Sequence, residues 1–249
     1  MNPVIETLLQ HRSIRKYEDR ALTAEQIRMI VECAQAASTS SYIQAYSIIG
    51  VTDRDKKKKL AELAGNQSYV ETNGHFFVFC ADLHRHEVIA EMEKADITET
   101  IESTEKFMVA VIDAALAAQN AAVAAESMGL GICYIGGLRN NLPEVCELLQ
   151  IPERVIPLFG MAVGYPLQEG SKKPRLPFES MYHQEAYNDN DMQTQEQLQT
   201  YNKTIQEYYI KRTGGERSDT WTVQMAHMLS RPVRMYMKKF VEQKGFNKR

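Results

Sequence analysis

Apolar residues recur at helical spacing near the start of the chain. Val4, Ile5 and Leu8 form one apolar turn, and residues 24–36 follow with an apolar side chain every third or fourth position. Thr23, with Gln26 three residues later, is a capping box, in which each side chain pairs with the other residue's backbone amide. We therefore predict a short first helix and an amphipathic second helix.

Four other stretches have strand character. Residues 42–51 are rich in β-branched and aromatic side chains, and residues 75–81 are continuously apolar over the length of one strand. Residues 132–135 and 155–163 are two further apolar runs bounded by glycine or proline. The run at 75–81 is typical of a strand buried on both faces, so we place it in the middle of a sheet.

Residues 107–128 are alanine-rich and almost free of charge, which predicts a long helix buried on most sides, at the core or at a dimer interface. The four lysines at 56–59 indicate a solvated helical face. Residues 189–199 are acidic and glutamine-rich without an apolar period, so we expect a linker there. The tail at 222–240, interrupted at Pro232, is expected to pack on a partner subunit.

Helices thus alternate with buried strands along the chain. This order predicts an α+β protein of three layers, with a central mixed β-sheet covered by helices on both faces and a C-terminal arm. We expect a core at residues 1–188, and at 189–249 the linker with a C-terminal helical arm.

Composition narrows the class of protein. The chain has 249 residues, 44% of them hydrophobic, and a formal charge of -3, which argues against a general nucleic-acid or acidic-membrane binder. The N-terminus lacks the apolar core of a signal peptide, and the four cysteines are far apart, so we expect a cytoplasmic protein with buried thiols. His84 and His86 have no third ligand at a matching spacing, and no metal site is predicted.

Two basic clusters are the first candidates for chemistry. In HRSIRKY at 11–17, His11, Arg12 and Arg15 can donate to a single anion and Ser13 adds a hydroxyl, which suits a phosphate monoester. The alternatives are a solvated basic turn, or arginine side chains that pair with the downstream acids Glu18, Asp19 and Glu25. The second cluster, KKPRLP at 172–177, follows a strand and is otherwise a surface loop fixed by two prolines.

Three polar or glycine-containing stretches complete the candidates. Gly136 and Gly137 would let backbone amides approach a flat ligand, although a strand-to-helix turn needs glycine equally. The hydroxyl run at 38–41 is either a capping loop or a ligand contact, and Gln67 either reads a heterocycle edge or caps a turn. Arg212 beside Gly214 is either a ligand contact or part of a charged loop.

Familiar catalytic motifs are missing from the sequence. It has no Ser-His-Asp set, HExxH motif, Walker loop or GxGxxG fingerprint. If the chain is an enzyme, a bound cofactor must supply the difficult chemistry.

These stretches, in this order, resemble the FMN-dependent nitroreductase family, in particular its NADPH-preferring branch of nitroreductases and flavin reductases. The residues that carry the resemblance are HRSIRKY at 11–17, AASTSSYIQAYSIIGVTD at 36–53, GLGICYIGGLRNN at 129–141, KPRLP at 173–177 and YYIKRTGGERSDTW at 208–221. The resemblance covers nearly the whole chain and implies the nitroreductase-like fold.

The resemblance also implies which residues bind FMN. His11, Arg12 and Arg175, assisted by Ser13, would hold its phosphate, and Arg15 and Lys173 would lie near the pyrimidine side of the isoalloxazine, where they stabilise the reduced form. The residues expected to line the ring or ribityl chain are Ser38, Thr39, Ser40, Gln67, Tyr134, Ile135, Gly136 and Gly137. Thr39 interrupts the family's serine run. No side chain is expected to be catalytic.

By the same resemblance the reaction is ping-pong. NADPH, or NADH in its place, gives a hydride to FMN, and free flavin, a nitroaromatic or a quinone then takes the electrons. Arg212 and Arg217 match cations that bind the 2′-phosphate of NADPH, and the family is a homodimer with its FMN sites at the interface. The alternative from a different class is a flavin-binding module that senses or carries its ligand without turnover.

Overall fold

A sheet of four strands forms the centre of one of two compact units in this computed structural model, which describes residues 2–249. The strands are β1 (Tyr46–Val51), β2 (His75–Asp82), β3 (Gly131–Ile135) and β4 (Val155–Gly164). The helices are α1 (Pro3–Leu9), α2 (Ala24–Gln35), α3 (Arg54–Leu63), α4 (His84–Glu93), α5 (Thr98–Ile101), α6 (Thr104–Ser127), α7 (Leu142–Leu148), α8 (Asp191–Thr213), α9 (Trp221–Leu229) and α10 (Met237–Gln243). Short 3₁₀ turns occur at Ser40–Tyr42, Ser68–Val70, Gly136–Asn140 and Phe178–Ser180.

The sheet has the order β1-β2-β4-β3, and all three strand pairs are antiparallel. The parallel pairing expected of a mixed sheet occurs at one edge, where Ser13 forms a parallel bridge with Ile132 of β3. Every residue of β2 is buried, and β2 lies between β1 and β4, as its apolar run predicted.

Side chains of β2 alternate between two apolar cores. Phe76 and Val78 belong to one core, and Phe77 and Phe79 belong to the other. Because successive strand residues point to opposite faces, both faces of the sheet must be covered. The three-layer arrangement predicted from the sequence follows from this burial.

Helix α6 supplies much of the second core. Ala117, Ala118 and Ala121 are buried there, and the small side chains allow α2 to pack closely. By length and composition alone α6 could also cross a membrane, but here its alanine face is packed as a core helix. On another face, Met108 and Ile112 remain exposed.

The two compact units divide the chain differently from the sequence-based boundary at 188. One unit runs up to residue 170 and includes residues 234–249, and the other comprises residues 171–233. The last residues return to the first unit because Phe246 is fully buried in its core and Glu102 accepts hydrogen bonds from Lys248 and Arg249. The predicted tail at 222–240 thus ends, at Phe240 of α10, in the core of its own chain, and the packing of the tail on a partner subunit stays a prediction.

The prediction of a linker at 189–199 is wrong, because most of this segment belongs to helix α8. Asn190 caps α8 by accepting from the amides of residues 192 and 193, and the helix continues to Thr213. Tyr201, Ile205 and Tyr209 recur every four residues and form a small core of the second unit with Leu176 and Trp221. A capped helix with one apolar stripe needs no apolar period in its first turns.

Three local expectations also need correction. Strand β1 begins at Tyr46, because Ser41, Tyr42 and Gln44 have positive φ angles that a strand does not allow. In the lysine run, Lys57 is buried while its neighbours are exposed. Cys33 is only partly buried, although the other three cysteines are buried as expected.

Candidate functional site

The HRSIRKY segment is fixed along the β3 edge of the sheet. The amide of Ile14 donates to Ile132 O at 2.9 Å, and the Ile14 side chain packs where any Cβ on Gly131 would lie 2.7 Å away. The Tyr17 hydroxyl donates to Ile14 O at 2.6 Å. Since Ile14 and Tyr17 both point inward, Arg15 between them is directed outward at a defined place.

Arg15 belongs to a contiguous set of side chains, which we call the Arg15 cluster: Arg15, Gln67, Tyr69 and Gly137. The Arg15 guanidinium lies 6.0 Å from the centre of the Tyr69 ring, and the Tyr69 hydroxyl donates to Gln67 Oε1. Gln67 Nε2 donates to Ala64 O at 2.6 Å. A Cβ on Gly137 would collide with both Ala64 O and Gln67 Nε2, so only glycine fits this turn.

His11 and Arg12 lie at the end of α1. His11 Nδ1 is 2.8 Å from Glu126 Oε1 near the end of α6, and Arg12 Nη1 donates to Gln10 O at 3.1 Å. Within residues 2–249, neither Arg12 nor Arg15 forms an ion pair with a carboxylate. The alternative in which these arginines pair with downstream acids is therefore absent from the described chain. Glu126 is a neighbour of His11 that sequence reasoning missed.

Tyr134 and Ile135 are held by the core. The Tyr134 hydroxyl donates to Ala118 O at 2.8 Å, and burial, followed by the charge of Glu126, raises the pKa of this phenol. Ile135 is buried in the opposite core, and Gly136 begins the 3₁₀ turn. The two side chains are therefore committed to packing, and this part of the predicted site is backbone.

The hydroxyl loop at 38–44 is tied to α6 by one buried carboxylate. Asp113, fully buried, accepts from the amides of Ser40 and Ala45 at 3.0 Å each. Three of the following residues have positive φ, which for non-glycine residues costs free energy and is found preferentially at functional sites. Ser38 and Ser40 are exposed, whereas Thr39 Oγ1 is buried with no partner in the described chain.

These two sets of predicted residues lie at opposite edges of the sheet. The hydroxyl loop leads into β1, and the HRSIRKY segment runs beside β3. From β1 across β2, β4 and β3 to Ser13 are four strand spacings of about 4.8 Å, or roughly 19 Å. Within one chain the sheet therefore keeps the hydroxyl loop apart from Arg15.

In the second unit, three predicted cations gather around two tyrosines. Arg217 lies 3.9 Å and Lys173 Nζ 5.3 Å from the Tyr209 ring centre, and Arg212 Nη1 donates to the Tyr208 hydroxyl at 3.3 Å. Burial by itself raises the pKa of Tyr209, but the Lys173 hydrogen bond and the three positive charges outweigh it, and the pKa is lowered. We call this set the Tyr209 cluster.

Arg175 lies in the same unit but is exposed and forms no ion pair among the described residues. The Tyr201 hydroxyl donates to Pro174 O at 2.9 Å and so fixes the chain beside it. Sequence reasoning missed the tyrosines at 69, 201, 208 and 209. Tyr69 lies two residues from Gln67, and Tyr208 and Tyr209 lie about one helical turn before Arg212, whereas Tyr201 is near no predicted residue in sequence.

The residues of the first unit fit the FMN that the resemblance implies. A phosphate dianion needs cations without acidic partners, which Arg12 supplies, and a flat ring needs close backbone approach, which the glycine-only turn at 137 allows. The unpartnered Thr39 hydroxyl offers a further polar contact. For metal ions, the described chain brings no three His, Cys, Asp or Glu side chains together.

Comparison with known proteins places this site in a family. The Nitroreductase family profile matches residues 8–165, and that of the Nitroreductase family, C-terminal domain, matches residues 173–249. The FMN reductase (NADPH) of Bacillus subtilis (strain 168) is 58% identical over 248 residues, with 100% of both chains covered.

Solved structures agree with these matches. The structure of B. megaterium NfrA1 is 69% identical, has a TM-score of 0.98, and covers 99% of this chain and 100% of its own. The NADPH:FMN oxidoreductase from Vibrio harveyi complexed with NAD+ is 40% identical, with a TM-score of 0.90 and 100% of both chains covered. The resemblance and the fold expected from it are confirmed, and this chain belongs to the nitroreductase family.

Proposed function

We propose that this chain is an FMN-containing oxidoreductase. It takes a hydride from NADPH onto the flavin and, in a second step, passes the electrons to free flavin, nitroaromatics or quinones. The relatives named FMN reductase (NADPH) and NADPH:FMN oxidoreductase, similar over full length, support this assignment. Bound FMN would supply the redox chemistry, for which the side chains offer no substitute.

One observation in the structure carries the proposal: the Arg15 cluster. The bridge between Ser13 and β3 sets Arg15 beside Tyr69, and through Gln67 the cluster reaches the glycine-only turn at Gly137. A fixed cation, an amide and an accessible backbone thus lie next to one another. This combination suits a flat heterocycle that becomes negatively charged on reduction.

The chain's own residues have distinct tasks in this proposal. Arg12 and His11 hold the phosphate, and the carboxylate of Glu126 orients the His11 ring from 2.8 Å. Arg15 stabilises the negative charge of the reduced ring and favours reduction without moving a proton. Gln67, held by Ala64 O and Tyr69, presents a fixed amide. Lys173 and Arg175, predicted for the same cofactor, stay predictions.

The Tyr209 cluster supports NADPH as the donor. The 2′-phosphate that distinguishes NADPH from NADH is a dianion, and Arg212 and Lys173 have no carboxylate partner in the described chain. Arg217 is paired with Asp219, which holds its guanidinium over the Tyr209 ring. We infer that this cluster recognises the phosphate and that NADH is a weaker donor.

We further infer that the protein acts as a homodimer with its flavin sites at the interface. The hydroxyl loop and the Arg15 cluster lie at opposite edges of one sheet, and a second copy could bring one chain's loop to the other chain's cluster. Exposed apolar side chains on α1 and α6 offer surface for such contact; they are Val4, Ile5, Leu8, Leu9, Met108, Ile112 and Leu116. A cytoplasmic location is supported by four free thiols.

The test is spectroscopic. Purified protein should be yellow and sediment as a dimer, and anaerobic NADPH should bleach its flavin faster than NADH does. Nitroaromatic or free FMN should then restore the colour. A yellow protein that neither nucleotide bleaches would instead indicate a flavin-binding module, and protein that cannot take up FMN would contradict the proposal altogether.

A further inference from the structure

A pocket lies in the first unit, and none of the residues predicted to bind FMN lines it. It has a volume of about 530 Å³, within the range of small-molecule sites of roughly 300–1,000 Å³. Its buried polar lining residues are Lys57, Asn73 and His75, and apolar side chains such as Leu22 and Ile27 complete the walls. None of the three polar residues was predicted to bind the cofactor.

Lys57 places an ammonium group in this pocket without a salt bridge to a carboxylate of the described chain. Its side chain is 8% exposed, and Nζ donates to Asn73 O at 2.7 Å. No carboxylate of the described chain lies within salt-bridge distance of Nζ, although Lys59 in the same run pairs with Glu62. A buried charge without a partner costs free energy, and its two other N–H groups are free to donate.

Asn73 supplies an acceptor with a fixed orientation. Its side chain is 5% exposed, and Nδ2 donates to Tyr69 O at 2.9 Å and to Val70 O at 2.6 Å. Because both amide hydrogens are used, the assignment of nitrogen and oxygen is determined by the network. Oδ1 is buried and accepts from no group in residues 2–249.

His75 adds a donor and an acceptor. The ring is 4% exposed, and neither nitrogen has a partner in the described part of the chain. One ring edge faces Gly50, where a Cβ would lie 2.8 Å from Nε2, and Phe77 packs on the ring at 4.3 Å between centres. Burial, and then the positive charge of Lys57, lower the pKa of His75 to about 4. Near neutral pH the ring is therefore uncharged, with one N–H.

The charged lining residues favour an anion. Arg20, Arg54 and Lys57 are cationic, against the carboxylates of Asp19 and Glu71. Arg54 is paired with Glu71 at 3.7 Å, and the Arg20 guanidinium is stacked 3.9 Å from the Tyr165 ring centre. The lining thus carries one more positive than negative charge, and the extra charge is the buried one.

We propose that this pocket binds a small oxyanion that retains a hydroxyl group, of the hydrogen phosphate type, with Lys57 and His75 donating to its oxygens and Asn73 Oδ1 accepting from its hydroxyl. Asn73 Oδ1 and one His75 ring nitrogen, which have no partner within residues 2–249, then each gain one of the correct kind. An oxyanion without a hydroxyl would place a lone pair against Asn73 Oδ1. The pocket therefore distinguishes phosphate from sulfate, and its volume also admits a small phosphate monoester whose alcohol part carries the hydroxyl that donates to Asn73 Oδ1.

The test measures binding by calorimetry and thermal unfolding on FMN-loaded protein, so that the cofactor occupies its own phosphate site. Inorganic phosphate, glycerol 3-phosphate and sulfate are added near neutral pH at ionic strength held constant with chloride. We expect phosphate or glycerol 3-phosphate to raise the unfolding temperature with the logarithm of its concentration, and sulfate to bind more weakly. Whichever of the two phosphates binds more tightly identifies the source of the anion.

Two lysine variants separate this pocket from every other anion site. Lys57→Met should weaken phosphate binding about tenfold or more without unfolding the protein, because a buried charge is replaced by an apolar chain of similar length. Lys58→Met removes the same charge from an exposed neighbour and should leave binding unchanged. Equal binding in both variants, or no binding of either phosphate by the unmodified protein, would overturn the proposal.

A direct readout does not depend on any variant folding. The ring nitrogen resonances of His75 should shift on addition of phosphate to the unmodified, FMN-loaded protein, and chloride should leave them unchanged. Unmoved His75 resonances at saturating phosphate would refute the assignment. Since FMN stays bound throughout, the outcome is independent of which nucleotide reduces it.

Discussion

Tyr17 and Tyr209 are buried to nearly the same extent, with 5% and 4% of their surfaces exposed, yet their hydroxyl pKa values move in opposite directions. Burial raises the pKa of Tyr17, which lies beneath the HRSIRKY segment and donates to two backbone carbonyls. In the Tyr209 cluster the same burial is outweighed by Lys173, Arg217 and Arg212, and the pKa of Tyr209 is lowered. Burial decides the direction of the pKa shift at Tyr17, and charged neighbours decide it at Tyr209.

The difference shows two ways of placing a cation. Arg15 is placed by the core, since Ile14 and Tyr17 on either side of it are buried and bonded to β3 and β4. Arg217 is placed by an aromatic face and by Asp219 at the surface. Substitutions that remove buried volume should therefore affect the region of the Arg15 cluster most, and substitutions that remove charge should affect the Tyr209 cluster most.

The largest effect is expected from removing a buried side chain beneath the HRSIRKY segment. Ile14→Ala should lower the free energy of unfolding by about 2–5 kcal/mol, because it leaves a cavity against Gly131. The matched change in the second unit, Ile210→Ala, alters an exposed helical side chain and should cost about 0.5 kcal/mol or less. Chemical denaturation followed by circular dichroism measures both values, and equal losses would contradict the comparison.

Removing a positive charge from the HRSIRKY segment should weaken binding of the cofactor FMN. Arg12→Gln should weaken FMN binding about 10- to 100-fold, because a charge-assisted contact contributes roughly 1.5–3 kcal/mol. Lys16→Gln removes a charge from an exposed residue of the same segment and should change the dissociation constant little. Flavin fluorescence during reconstitution gives both constants; unchanged affinity in Arg12→Gln would remove it from the phosphate site.

Removing a positive charge from the Tyr209 cluster should weaken binding of the electron donor NADPH. Arg217→Gln should raise the KM for NADPH about tenfold, with the KM for NADH and the bound flavin unchanged. Lys211→Gln, at an exposed position on the same helix as Arg212, serves as the control. Steady-state kinetics with both donors gives the two KM values. An equal rise in KM for NADPH and NADH would show that Arg217 does not recognise the 2′-phosphate.

The smallest effect concerns the tyrosines themselves. In an alkaline absorbance titration, Tyr209 should ionise below the usual tyrosine range, and Tyr17 only as the protein unfolds. Because the folded-state pKa of Tyr209 is lowered, its ionisation favours the folded state at high pH, and that contribution is lost as the pH falls through the lowered pKa. Lys173→Met should raise the pKa of Tyr209, whereas Lys172→Met should not; equal curves would contradict this.

Much of the fold could be predicted because local pattern and burial agree. The capping box at Thr23 and Gln26 forms as expected, and the apolar run at 75–81 becomes a central strand. The family motifs gave the fold class. The assignment of residues such as Ser38 and Arg175 to the cofactor stays a prediction, since their contacts involve a ligand and not the chain itself.

Other features could not be predicted from neighbouring residues in the sequence. The linker prediction at 189–199 was wrong because an N-cap and one apolar stripe suffice for a long helix. The role of Asp113 was missed, since nothing near it in sequence shows that it would accept from amides about seventy residues away. Lys57 did carry a signal, because it precedes Leu60 and Ala61 by three and four residues and shares their buried face.

The sequence by itself determined most of the helices and strands, the three-layer class and the family, because apolar periodicity and motif spacing are local properties of the chain. The tertiary structure alone decided which polar atoms of the described residues are left without partners, such as Asn73 Oδ1 and the His75 ring nitrogens near Lys57, and Thr39 Oγ1 in the loop that Asp113 holds. Hydrogen-bond satisfaction depends on groups that are distant in sequence and meet only when the chain has folded.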